Sequence, residues 1–113
     1  MTDVVYINEA EGKKRLMNND KLYAKLLSKF KTETNLEELF SYTDVQDWEK
    51  AQAEVHTIKG VAANLSLIEL FNQALEVETQ VKGKSLNPSA LENLKACLDE
   101  TIVQAEKVIA KYV

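Results

Sequence analysis

The sequence predicts an all-α protein, an antiparallel four-helix bundle with a short additional N-terminal helix. Three observations carry that expectation. Among 113 residues there are only 3 glycines and 1 proline, too few turn formers for a protein of many short strands. Four stretches place apolar residues at steps of three and four, the period of a helix that buries one stripe. The breaks between them are short, which sets consecutive helices side by side in opposite directions. At 45% hydrophobic and 28% charged residues the composition is that of a soluble globular protein. The length suits one domain over residues 1–113, with 1–6 as a flexible lead-in.

Taken in order, Asn8 precedes Glu11 by three, a capping-box-like start for a short helix to about Met17 that Gly12 weakens. Asn18-Asn19-Asp20 breaks the chain. Leu22, Tyr23, Leu26, Leu27 and Phe30 then form an apolar face, and Asn35 with Glu38 gives another start signal before Leu36, Leu39 and Phe40. Asp20 to about Tyr42 therefore reads as one helix, or as one helix broken near Thr34-Asn35. Thr43 and Gln46 fit a capping box that opens the next helix, which runs to about Leu65 before a tight turn at Ser66. Leu67, Leu70, Ala74, Val77 and Val81, widened by Phe71, mark the following helix, and Gly83-Lys84-Ser85 closes it. Asn87-Pro88 places a cap before a proline at the first helical position. The last helix presents Leu91, Leu94, Leu98, Ala105, Val108 and Tyr112, with Ile102 and Ile109 beside them.

Composition also excludes function classes. A net charge of −4 disfavours nonspecific nucleic-acid binding. The cluster Lys13-Lys14-Arg15 alternates with nearby acids and reads as a solvated helix face. No apolar run approaches a membrane span and no signal-peptide core opens the chain, so a cytoplasmic location without membrane contact is expected. Cys97 has no partner for a disulfide and no metal-ligand spacing around it, and reads as a buried thiol. A single histidine cannot build a histidine-based metal cluster, and there is no Gly-rich phosphate loop or kinase signature.

That histidine, His56, is the most informative residue. In its helix Trp48, Ala51, Val55, Ile58, Ala62 and Leu65 form the apolar stripe. His56 lies roughly 130° from the centre of that stripe, facing solvent. Gly60 follows one turn later, with Ala63 near it and Lys59 at its flank. A glycine inside a helix costs about 1 kcal/mol relative to alanine. Either it is a tolerated glycine beside an incidental surface histidine, or another molecule must approach the imidazole closely.

The run His56-Thr57-Ile58-Lys59-Gly60, followed by Ala63-Asn64-Leu65, resembles the signature of histidine-containing phosphotransfer (HPt) domains, His-x-Leu/Ile-Lys-Gly followed by small residues and Leu-Gly. Ser66 departs from it, standing where the family usually has glycine. The resemblance covers essentially the whole chain and carries the same bundle architecture. Its N-terminal part, with Leu16, Asp20, Tyr23, Leu27 and Phe30, is less specific.

The resemblance implies a phosphoryl carrier rather than an autonomous kinase. Free imidazole titrates near pH 6.5, so at pH 7 it is mostly neutral and a competent nucleophile. On that reading His56 is phosphorylated, Lys59 stabilises the phosphoryl charge, and Gly60 gives steric access. With the next helix folded back across Ser66, residue 76 lies level with 56, and Glu78 within about one turn of it. In the chemotaxis-kinase branch of the family a glutamate at the matching Val77-Glu78 position orients the imidazole; a surface pair between Glu78 and Lys82 is the plainer role. Gln52, Ala63 and Lys82 are expected to meet the partner. Leu16 and Met17 are candidates too, with burial in the core favoured for both. The implied donor and recipient are aspartates of response-regulator receiver domains, in a hybrid sensor histidine kinase or a separate protein, with Mg²⁺ held by the receiver and no cofactor in this chain. A monomer is expected. The alternatives are the phosphotransfer domain of a chemotaxis-type kinase and a helical docking module that is never phosphorylated.

Overall fold

The computed structural model describes residues 5–112, so most of the expected lead-in lies outside the described residues. Six helices follow one another: α1 (Glu9–Lys14), α2 (Asp20–Glu33), α3 (Glu37–Asp44), α4 (Trp48–Leu65), α5 (Ile68–Lys82) and α6 (Pro88–Ala110). The four long ones, α2, α4, α5 and α6, form the antiparallel bundle. Helix α5 packs between α4 and α6, and α2 closes the ring against α6 and α4. Helix α1 crosses the end where α4 stops and α5 starts, and α3 extends the α2 side along α4.

The helices bury most of the stripes their spacing predicts: Tyr23, Leu27 and Phe30 on α2, where Leu26 is half-buried and Leu22 is exposed; Ala51, Val55, Ile58, Ala62 and Leu65 on α4, with Trp48 half-buried; Leu70, Ala74, Val77 and Val81 on α5. On α6 the stripe is shifted slightly. Ala90 and Thr101 are buried while Leu91 lies half-buried at its edge. Thr101 tolerates burial because its hydroxyl donates to the Cys97 carbonyl at 2.7 Å. Cys97 is a buried thiol, as expected.

Several boundaries move. The chain breaks between α2 and α3, where Asn35 Oδ1 accepts the Glu37 N–H at 3.1 Å. The α4 cap is Asp47, which accepts the Lys50 N–H at 3.3 Å, rather than Thr43. Thr43 lies inside α3, with its hydroxyl on the Phe40 carbonyl, and Gln46 takes the left-handed turn between the helices (φ 58°). Asn8 caps α1 through the Glu11 N–H, but the helix ends at Lys14, because Met17 and Asn18 both turn left-handed (φ 56° and 59°). Met17 stands 92% exposed, contrary to the burial expected of it, while Leu16 packs on the core. The N-terminal segment is anchored from Tyr6 onward. The Tyr6 carbonyl accepts the Ile68 N–H and the Asn8 N–H donates to the Ser66 carbonyl, both at 2.9 Å.

The basic cluster is structural rather than merely solvated. Lys13 reaches the Tyr112 hydroxyl at 3.0 Å and the Asp20 carboxylate at 3.2 Å, so it ties α1 to the start of α2 and to the distant segment just after α6. Arg15 donates to the Ala63 carbonyl at 2.7 Å and to the Ser66 hydroxyl. These bonds accompany a left-handed Ser66 (φ 56°, ψ 43°), the conformation a glycine would take without strain. The Leu67 N–H also reaches back to the Ala62 carbonyl at 2.8 Å, closing the end of α4.

Gly12 is the packing point for α1. Tyr23 lies over it, buried, with its hydroxyl donating to the Leu65 carbonyl at 2.8 Å. A Cβ on Gly12 would come within 2.6 Å of the Tyr23 ring. Gly12→Ala is therefore expected to destabilise the protein by about 1–3 kcal/mol despite alanine's better helix propensity. A urea unfolding curve reads this as a lowered midpoint at unchanged slope.

Candidate functional site

Helix α4 carries His56 near its middle, on the crest opposite its buried stripe. The imidazole side chain is 69% exposed. A step of four residues along the helix keeps Gln52 and Gly60 on the same crest, and Ala63 lies nearly two turns beyond His56. A Cβ at Gly60 would meet nothing within 4 Å. No packing within the protein requires glycine there, and its absent side chain leaves open space beside the imidazole.

Helix α5 supplies the partner group. Val77 points into the core, and the next residue, Glu78, is rotated toward α4 and is only 2% exposed. A carboxylate so deeply placed needs partners, and it has two. His56 Nδ1 lies 3.0 Å from Oε2, and Lys59 Nζ lies 2.5 Å from Oε1. Burial pushes the Glu78 carboxyl up, but the hydrogen bonds from Lys59 and His56, with the charges of Lys59 and Lys82, outweigh it and hold the group below the usual carboxylate value. Glu78 is thus ionised at neutral pH. An ionised carboxylate only accepts hydrogen bonds, so this partner assigns the imidazole proton to Nδ1. In the neutral ring Nε2 then keeps its lone pair, turned away from Glu78.

Lys59 is more engaged than a plain surface lysine. Its side chain is 20% exposed and one of its N–H donors is spent on Glu78. An ammonium has three donors, so two remain for other acceptors. The structure brings His56, Glu78, Gln52 and Lys82 together around a shallow depression of about 350 Å³, which Glu49 and Ala53 also line. Ala63 is not part of it; it is exposed further along α4, with its carbonyl held by Arg15. Glu49 and Ala53 carry a usable signal in the sequence, since they lie two turns and one turn before His56 on its own crest. Arg15 carries none, because its position depends on how α1 lies across the bundle.

Among the described residues no group of three or more histidine, cysteine, aspartate or glutamate side chains could hold a metal ion, and no helix is long and apolar enough to cross a membrane. The arrangement offers one exposed nucleophilic nitrogen, one buried carboxylate that fixes its tautomer, one ammonium, and free space for an approaching group. A family model, described as Hpt domain, matches residues 25–104. No curated protein and no solved structure matches the chain.

Proposed function

The chain belongs to the Hpt domain family, whose members carry phosphoryl groups on histidine in phosphorelays, and from that premise we propose that His56 accepts a phosphoryl group from a receiver-domain aspartyl phosphate and passes it to a second receiver. The observation that carries this reading is the pairing of an exposed His56 with a buried, ionised Glu78 at 3.0 Å. Nε2 attacks phosphorus; the new N–P bond forms as the P–O bond to the aspartate breaks, and the aspartate leaves as a carboxylate with the bonding electron pair. The ring gains positive charge in that step. Glu78, on the far nitrogen, stabilises it through the Nδ1–H hydrogen bond it already accepts. Lys59 keeps Glu78 ionised and has donors left for the phosphoryl oxygens. The receiver supplies Mg²⁺ and the carboxylates that hold it.

The test is incubation with each phosphorylated receiver domain of the source organism, followed by detection of acid-labile phosphate on this protein. Absence of label with every receiver overturns the proposal. A second reading is favoured by one observation. The His56–Glu78 hydrogen bond is the arrangement that the resemblance attributes to the chemotaxis-kinase branch, where a separate ATP-binding domain is the donor. Labelling by such a domain with ATP, and by no receiver, would select it.

Gly60 separates approach from stability. Gly60→Ala meets no steric obstacle within the protein, so its helix gains up to about 1 kcal/mol. The added methyl stands where the receiver must come close, and transfer is expected to slow by about tenfold, equal to ~1.4 kcal/mol of barrier. A variant more stable to urea and slower in transfer is the expected pair of results. Unchanged transfer would return Gly60 to the status of a tolerated glycine.

A further inference from the structure

Ser66, in the turn between α4 and α5, is held from two sides by the N-terminal segment. Its carbonyl accepts the Asn8 N–H at 2.9 Å, and its hydroxyl accepts a hydrogen bond from the Arg15 guanidinium. The same guanidinium nitrogen donates its second hydrogen to the Ala63 carbonyl at 2.7 Å, and the other terminal nitrogen donates to Glu11 Oε1 at 2.7 Å. Glu11 Oε2 in turn accepts from the Asn8 side-chain amide at 3.2 Å. Asn8, Glu11, Arg15 and Ser66 thus close a ring of hydrogen bonds across the end of α4. Arginine suits its place in the ring because its planar fork presents donors in fixed directions.

Both the turn and the helix after it draw on this support. Ser66 is left-handed, a conformation that strains a residue with a Cβ. It is only 6% exposed, so its hydroxyl depends on Arg15 for a partner. Helix α5 starts without a side-chain cap, and its first amide, the Ile68 N–H, is taken by the Tyr6 carbonyl. The rotation of α5 about its own axis decides where Glu78 points. At the outer radius of a helix, roughly 5–6 Å, a rotation of about 20° moves a carboxylate by ~2 Å. That is enough to break the 3.0 Å contact between Glu78 Oε2 and His56 Nδ1.

We infer that Arg15 is a positioning residue for the phosphotransfer site: by holding Ser66 left-handed it fixes the rotation of α5, and with it the hydrogen bond that aims the His56 imidazole. The inference rests on the phosphotransfer reading of His56, and Arg15 touches none of the reacting atoms. Without the guanidinium the buried Ser66 hydroxyl loses its donor and the strained turn loses its brace, so the turn relaxes and α5 rotates with it. A glycine at position 66 has no hydroxyl to satisfy and no Cβ to strain the turn, so it needs no brace. Arg15 acting only as a surface ion pair with Glu11 predicts no such dependence on residue 66.

The test is a cycle of four proteins: wild type, Arg15→Ala, Ser66→Gly and the double variant. Two quantities are read in each, the His56 tautomer by nitrogen NMR and the rate of labelling by phosphoramidate, a small donor that needs no docked protein. Arg15→Ala is expected to replace the fixed Nδ1 proton with a mixture of tautomers and to slow labelling by about three- to tenfold. Ser66→Gly alone is expected to match wild type, and in the double variant the glycine restores both readouts. The Arg15 side chain is 45% exposed, so the fold is expected to survive its loss. Should Arg15→Ala not fold, Arg15→Lys takes its place in both arms, since it lacks the fork. A wild-type tautomer and rate in the single Arg15 variant overturn the proposal, and so does a double variant no better than that single one. If phosphoramidate labels none of the four proteins, the phosphotransfer reading of His56 fails, and the tautomers alone decide for or against Arg15.

Discussion

His56→Gln is expected to reduce phosphoryl acceptance below detection, at least a thousandfold, while leaving the fold in place. The imidazole projects from α4 on the side away from Ala51, Val55, Ile58 and Ala62, so no core contact is lost with it. The glutamine amide can still donate a hydrogen bond to Glu78, and substitution at so exposed a position is expected to shift stability by no more than about 0.5 kcal/mol. What disappears is the nucleophile. An amide nitrogen has its lone pair delocalised into the carbonyl and does not attack phosphorus at a useful rate, whereas the neutral imidazole does so through Nε2. The measurement is acid-labile, base-stable phosphate on the protein after exposure to a phosphorylated receiver, with a urea unfolding curve as the control for folding. Persistent label on the variant would place the acceptor elsewhere in the chain.

Glu78→Ala is expected to slow transfer by about 10- to 100-fold, the range for removing the hydrogen-bond partner that orients a metal-bound histidine. Three effects combine. The Nδ1–H loses its acceptor, so the ring samples both tautomers and other rotamers. The positive charge that develops on the ring loses the carboxylate beside it. Lys59, released from its 2.5 Å bond, swings toward water and no longer has a fixed place near the imidazole. Both former partners can reach solvent, so the variant is expected to fold. Nitrogen NMR separates this role from a merely structural one. Wild-type His56 should show a proton fixed on Nδ1, and the variant should show a mixture. Equal tautomer populations and equal rates in the two proteins would reduce Glu78 to a buried structural ion pair.

The two glycine substitutions show why neither composition nor propensity decides such effects alone. Gly12 and Gly60 both lie inside helices, and alanine improves the intrinsic propensity of each by a similar amount. They differ in what stands over the missing Cβ: the Tyr23 ring at Gly12, and nothing within 4 Å at Gly60. The expected changes in stability are therefore opposite in sign. One glycine serves the packing of α1, and the other borders open space beside His56.

Much of this protein was legible from local pattern. The four apolar stripes, the Asn8 and Asn87-Pro88 starts, the end of α4 at Leu65 and the outward direction of His56 depend only on residues a turn or two apart. Helical periodicity encodes these relations within a single segment, so they survive without knowledge of the rest of the chain. The misplaced start at Thr43 belongs to the same level: two capping signals compete within five residues, and the left-handed turn at Gln46 gives the cap to Asp47.

The tertiary structure decided what depends on two segments meeting. Glu78 reaches His56 and Lys59 because the left-handed turn at Ser66 sets both the level and the rotation of α5 against α4, and a change of one residue in that turn would swing Glu78 about 100° away. Arg15 on Ser66 and Tyr23 over Gly12 arise in the same way. A residue's direction on its own helix follows from spacing, but what it touches follows from the packing of helices distant in sequence. The outward direction of His56 could therefore be read from the chain and Glu78 named as a candidate by resemblance, while the contacts of Glu78 with both His56 and Lys59 had to be found in the fold.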